Sequence, residues 1–193
     1  GWFRLPHESP GESVGVFRVL SAVFFLAISF YLLRGLMGFP LGELDAFLPP
    51  KDYGGAQQVA LFNPGAPEEA AEEHWLTNYQ EALVVARREN RPVFVDFTGY
   101  TCTNCRWMES NMFPHPEVRK RLKQFVLVKL YTDGPDEEHE RNLQFEKERF
   151  GTIALPYYAI ISPQDEIIAT FPGLTRDSSV FISFLNKGLA EAT

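Results

Sequence analysis

Hydrophobic positions fall into one long run and several short ones. Apolar residues dominate 14–39, and 19–33 carry no charge between Arg18 and Arg34. An uncharged helix of roughly 15 residues is about 22 Å long, short of a bilayer core that needs about 20. Counting from Val14, with Arg18 snorkelling towards headgroups, closes the gap. A membrane helix over 14–39 is therefore expected. A signal peptide and a buried soluble helix are the competing readings. Against the signal peptide, Leu36-Met37-Gly38-Phe39 prolongs the apolar character and no small-x-small cleavage site comes after it. Lysines and arginines are balanced across the span (Arg4 and Arg18 before it, Arg34 and Lys51 after it), so charge bias does not orient it.

The short runs begin after residue 74. Residues 93–97 and 125–131 are continuous apolar stretches, as expected for strands covered on both faces. Residues 157–161 and 167–171 are two more strands, joined by Ser162-Pro163-Gln164-Asp165-Glu166, a turn composition. Helical spacing marks 78–90, where Tyr79, Leu83 and Ala86 share a face, and also 102–112, 116–122, 138–150 and 178–189. This order predicts a mixed sheet with helices on both sides. Between the two regions, 40–73 is rich in Pro and Gly and then acidic and Ala-rich, a linker composition. The domain reading is an N-terminal flank over 1–13, a membrane helix over 14–39, a linker over 40–73 and a globular domain over 74–193.

Composition narrows the chemistry. With 193 residues and 45% apolar content, the chain is long enough for one domain and an additional element. A formal charge of −7 argues against nucleic acid as a partner. The first residue is glycine, which points to a processed chain or a piece of something longer. Only two cysteines occur, so no disulfide-stapled scaffold is expected. His7, His74, His115 and His139 supply no second pair at metal-ligand spacing, so no metal site is expected either.

The two cysteines are Cys102-Thr103-Asn104-Cys105, placed where a strand feeds a helix. Three-residue separation lets both sulfurs close a small ring, and the first lies at the helix N-terminus. The partial positive charge there lowers a thiol pKa and supplies thiolate at neutral pH. Half of a zinc knuckle, or two incidental thiols, is the bland alternative. Asp96 lies on the preceding strand, where a charged residue is rarely buried without a reason. Desolvation would raise its pKa and let it take the proton of Cys105; a strand-end aspartate satisfied by backbone is the alternative. Glu109, at i+4 from Cys105, faces the same pocket or is a plain solvated glutamate. Two carboxylates near the sulfurs would oppose thiolate formation at Cys102. Asp96-Phe97-Thr98-Gly99 is not an Asp-Thr-Gly protease motif, because Phe97 interrupts it.

A CxxC after the first centre strand and a proline before a hairpin resemble the thioredoxin fold over residues 74–190. The resemblance implies an α/β, three-layer, thioredoxin-like architecture with a mixed central sheet, preceded here by one transmembrane helix. It implies a cis bond at Leu155-Pro156, turning the backbone of Leu155 towards the sulfurs to pair with a partner's extended chain. It also implies Cys102 as nucleophile and Cys105 as the residue that resolves the mixed disulfide. Lys129 would counter Asp96, since thioredoxins often carry a lysine there; a snorkelling edge lysine is the alternative. Tyr100, Thr101, Leu155 and Pro156 would dock the substrate, with Thr101 standing where thioredoxins usually have tryptophan.

A narrower likeness rests on Phe97-Thr98-Gly99-Tyr100-Thr101-Cys102-Thr103-Asn104-Cys105-Arg106-Trp107-Met108-Glu109, with Asn111-Met112-Phe113 and Pro116-Glu117-Val118. This stretch resembles the C-terminal domain of the DsbD family of transmembrane thiol:disulfide interchange proteins. The apolar helix leading to Leu44-Asp45-Ala46-Phe47-Leu48-Pro49-Pro50 is similar to that family's last membrane helix and linker. The likeness implies a membrane-anchored dithiol reductase on the outer, periplasmic side of a bacterial cytoplasmic membrane. Its electrons would come from an upstream membrane domain of the same polypeptide, and its partners would be protein thiols and disulfides. No metal or organic cofactor is expected beyond the redox-active pair itself. A thiol oxidase or isomerase, a reductant for cytochrome c maturation, and a tethered interaction domain with idle thiols are the rival readings.

Overall fold

A computed structural model describes residues 15–37, 39, 41–47 and 74–191. The flank over 1–13 lies outside the described residues, as do Val14 and residues 48–73 of the span read as linker.

Helix α1, Val16–Leu36, has 21 residues, an apolar surface on every side and Arg34 in its last turn. Its span Val16–Gly35 has a mean hydropathy of 2.2 and is not covered by protein, so it is long and apolar enough to cross a membrane. Ser29 turns its hydroxyl back onto the Phe25 carbonyl, which satisfies that donor within the helix.

From Gly42 onward the described chain packs as a separate unit. A 310 turn, Gly42–Phe47, precedes strand β1 (Trp75–Leu76), α2 (Tyr79–Glu89), β2 (Val93–Thr98) and α3 (Thr103–Trp107). Then come a π-helical turn (Met108–Met112), α4 (Pro116–Leu122), β3 (Val126–Tyr131) and α5 (Glu137–Phe150). Strands β4 (Tyr157–Ile161) and β5 (Ile167–Pro172) and helix α6 (Ser178–Glu191) close the domain. The 310 turn falls in the span expected as linker; instead, it packs against α3.

The sheet order is β1-β3-β2-β4-β5, parallel across β1, β3 and β2 and antiparallel across β2, β4 and β5. This is the expected mixed, thioredoxin-like sheet. Strand β1 is an addition to the expected elements, since its two residues give no periodicity to detect. Residues 102–112, expected as one helix, change from α to π at Met108, where the Phe113 N–H donates to the Met108 carbonyl at 2.9 Å.

Alternation along β2 sorts its side chains into two cores. Val93, Val95 and Phe97 join Leu83, Ala86, Val128 and Ala159 beneath α2, with Phe145 and Phe150 of α5 packed on them. Phe94 joins Met108, Leu122, Tyr158 and Phe181 on the other face. Asp96 and Thr98 follow Phe94 onto that second face, under α3, and both are fully buried. The apolar run therefore conceals two inward polar residues aimed at one helix.

Closure of the second core depends on α6 lying close to β4. A Cβ on Gly188 would stand 2.2 Å from Cδ1 and 2.8 Å from Cγ2 of the fully buried Ile160. Gly188→Ala is expected to lower stability by about 1–3 kcal/mol. Urea titration of the chain in detergent micelles checks this; an unchanged midpoint would show that α6 can move aside.

Candidate active site

The loop between β2 and α3 is held by Asp133, a residue with no local sequence signal to single it out. Its carboxylate accepts from the Tyr100 N–H at 2.7 Å, the Thr101 N–H at 2.9 Å and the Thr101 hydroxyl at 2.8 Å. Partial burial opposes ionisation of Asp133, but these donors hold its pKa below the ordinary value. Gly99 lets the carboxylate approach, because a Cβ there would lie 2.7 Å from Asp133 Oδ2. Tyr100 stacks flat on Tyr131, with centroids 4.0 Å apart. Tyr100 and Thr101 are therefore fastened from the β3 side.

Cys102 is the N-cap of α3 and forms a disulfide with Cys105, with the Cα atoms 5.3 Å apart. The Cys105 N–H donates to Cys102 Sγ at 3.1 Å, so the helix end delivers an amide to that sulfur. Cys102 is half-buried and flanked by exposed Thr101 and Thr103, whereas Cys105 is 1% exposed. Solvent and any partner therefore reach Cys102 first. Leu155-Pro156 is a cis peptide; Leu155 is half-buried and Pro156 buried. A Cβ on Gly99 would lie 3.0 Å from Leu155 Cδ1, so Leu155 adjoins the start of the loop that carries the cysteines.

Beneath α3 lies a polar cluster. Asp96 is fully buried and neither carboxyl oxygen has a hydrogen-bond partner. Burial, and secondarily the Glu109 charge, push its pKa up to about 8 despite Lys129 and Arg106. The expected desolvated carboxyl is present, and no backbone group satisfies it.

Glu109 is mostly buried and faces this cluster, so it is not a solvated glutamate. Its Oε1 accepts from Arg106 Nη2 at 2.8 Å, lies 3.4 Å from Lys129 Nζ and takes the Thr98 hydroxyl at 3.3 Å. Lys129 thus forms its ion pair with Glu109 and reaches Asp96 only through longer-range attraction. Its ammonium also sits 5.2 Å from the centre of the Trp75 ring, which β1 supplies. Glu109 is expected from sequence to repel charge on the sulfurs, yet two cations hold its carboxylate.

Behind α3, the Trp107 indole N–H donates to Glu43 Oε1 at 3.0 Å, and Arg176 clamps the same carboxylate at 3.1 and 2.9 Å. The Arg176 guanidinium lies 5.0 Å over the Trp107 ring. Local sequence gives no sign of this contact, because Glu43, Trp107 and Arg176 are far apart along the chain.

A dithiol at this position can exchange with an external disulfide: one sulfur is accessible at a helix end, and the other is buried one turn deeper. Comparisons with known proteins find similarity over this domain. Residues 74–163 match the family model described as Thioredoxin-like. The thiol:disulfide interchange protein DsbD of Vibrio vulnificus (strain CMCP6) is 39% identical over 49 residues, which are 25% of this chain and 8% of that protein. DsbD of strain YJ016 of the same species gives the same identity and coverage. The matched stretch thus spans only a small part of these curated relatives. Among solved structures, a thioredoxin from Thermus thermophilus superposes with a TM-score of 0.53 at 23% identity, over 62% of this chain and 90% of its own. A DsbH oxidoreductase superposes with a TM-score of 0.52 at 21% identity, over 64% and 89%. Both share the fold of this chain.

Proposed function

With a thioredoxin-like domain and a CxxC disulfide whose first sulfur is accessible, we propose that this protein is a membrane-anchored protein-disulfide reductase. The observation that carries the reading is the asymmetry of the pair: Cys102 half-exposed and capping α3, Cys105 buried behind it. In the reduced chain, the Cys102 thiolate attacks a partner's disulfide and forms a mixed disulfide. Cys105 then attacks Cys102 Sγ and releases the partner as a dithiol, while Asp96 accepts the Cys105 proton. Tyr100 and Thr101, which lead directly into Cys102, form the docking surface together with Leu155 and Pro156. The exchange draws on the cysteine pair alone, with no metal or organic cofactor.

The reducing direction is supported by the stretch shared with DsbD and by the resemblance of residues 97–109 to that family. On the same likeness, α1 anchors the chain in a bacterial cytoplasmic membrane with the domain on the outer side. An upstream membrane domain supplies the electrons, and protein disulfides consume them. Equilibration of the chain in detergent with dithiothreitol or glutathione tests the direction. The potential is expected nearer thioredoxin's, about −270 mV, than the oxidant DsbA's, about −120 mV. A value at the oxidising end would replace the reductase with an oxidase.

A further inference from the structure

Arg106 comes directly after Cys105 and is 4% exposed, which is unusual for a guanidinium. One of its nitrogens is well used: Nη2 donates to Thr98 Oγ1 and to Glu109 Oε1, both at 2.8 Å. Its Nε and Nη1 are buried without a hydrogen-bond partner. The same face of the sheet holds the two partnerless oxygens of Asp96. Buried donors and a buried acceptor left unpaired in one cluster carry a stability cost in the resting fold, and such costs are kept where the groups serve a reaction.

We propose that Arg106 is a positioning residue of the exchange reaction: its charge, fixed by Thr98 and Glu109, keeps Asp96 able to exist as a carboxylate and take the Cys105 proton. This rests on the dithiol-exchange reading and adds to it the group that tunes the base. In the step concerned, Cys105 loses its proton to Asp96 and its sulfur bonds to Cys102. The Cys102–partner S–S bond breaks, and its electron pair leaves on the partner's sulfur. Charge is conserved, and the partner disulfide is the only oxidant.

The charged and titratable groups acting on Asp96 are Arg106 from α3, Glu109 from the π turn, Lys129 from β3 and Tyr158 from β4, while Tyr131 of β3 acts on Arg106. Glu109 disfavours the Asp96 carboxylate, and Lys129 and Arg106 favour it. Both cations pair with Glu109, at 2.8 Å from Arg106 and 3.4 Å from Lys129, and Arg106 carries two further buried nitrogens, Nε and Nη1, that have no hydrogen-bond partner. Burial works against the guanidinium, but Glu109, Tyr131 and Asp96 more than offset this and keep it charged.

The test is the pH dependence with which Cys105 resolves a mixed disulfide, preformed at Cys102 of the full chain in detergent with a cysteine-containing peptide. Arg106→Gln is expected to move the midpoint upward by about one pH unit, which slows resolution about tenfold at neutral pH. Arg106→Lys keeps the charge and is expected to stay near the parent. In an Asp96→Asn background, Arg106→Gln is expected to cause no further displacement. An unchanged midpoint in Arg106→Gln, equal displacement by Gln and Lys, or displacement that persists without Asp96 would each overturn the proposal. If Arg106→Gln does not fold, Thr98→Val substitutes for it. It removes a hydroxyl that fixes the guanidinium and is expected to move the midpoint in the same direction by less; no movement overturns the proposal. Failure of the parent chain to resolve at all would instead sink the exchange reading itself.

Discussion

A Cys105→Ser chain is expected to accumulate a stable mixed disulfide through Cys102 when reduced and offered a peptide disulfide, whereas Cys102→Ser is expected to trap none. Cys102 is the accessible sulfur and takes the Cys105 amide, so its thiolate is both reachable and stabilised. Cys105, 1% exposed, meets a partner only after Cys102 has tethered it. Without Cys105 the tether has no internal thiol to break it, and the adduct should approach one per chain. Non-reducing electrophoresis followed by mass spectrometry locates the linked residue. Adduct through Cys105 would reverse the two roles, and equal trapping by both variants would show that burial does not order the steps.

Asp96→Asn is expected to stabilise the chain at pH 8 while leaving it nearly unchanged at pH 4. A solvated aspartate titrates near 3.9, and in the fold Asp96 titrates at about 8 because burial disfavours its charge. Between those values unfolding releases a proton, so stability falls as pH rises through the window and is greatest below it. Asparagine fills the same space with no charge to desolvate. The expected gain at pH 8 is about 2–5 kcal/mol, read as the difference between urea titrations of parent and variant at pH 4, 6 and 8. A constant difference across that range would show that Asp96 is ionised throughout. The same variant is expected to resolve mixed disulfides more slowly, so stability and turnover would move in opposite directions.

Much of this is legible in the sequence, and the remainder has a common cause for being hidden. The run Val93-Phe94-Val95-Asp96-Phe97 reads as a centre strand because both faces are covered, and a charge inside it stands out. The cysteine spacing and its place before a helix announce the chemistry. Asn78 and Asn90 bound α2 as cap and left-handed terminator, which local rules explain. Arg106 and Asp133 escape a sequence reading because their roles exist only across the sheet. Arg106 becomes significant when Thr98 and Glu109 meet it, and Asp133 when β3 ends beside the cysteine loop. The thioredoxin resemblance makes Lys129 the counterion of Asp96, and strand register does place the two side by side, but Glu109 arrives from a helix and takes the ion pair. The π turn escapes for a similar reason, as hydrophobic spacing over five residues does not separate 3.6 from a wider turn.

The Glu43 clamp bears on how the chain's length is used. Gly42–Phe47 rests on α3, with Glu43 bonded to Trp107 and Arg176, and the chain returns to the same body at Trp75, paired with β3. Both ends of the intervening stretch are thus anchored in one domain.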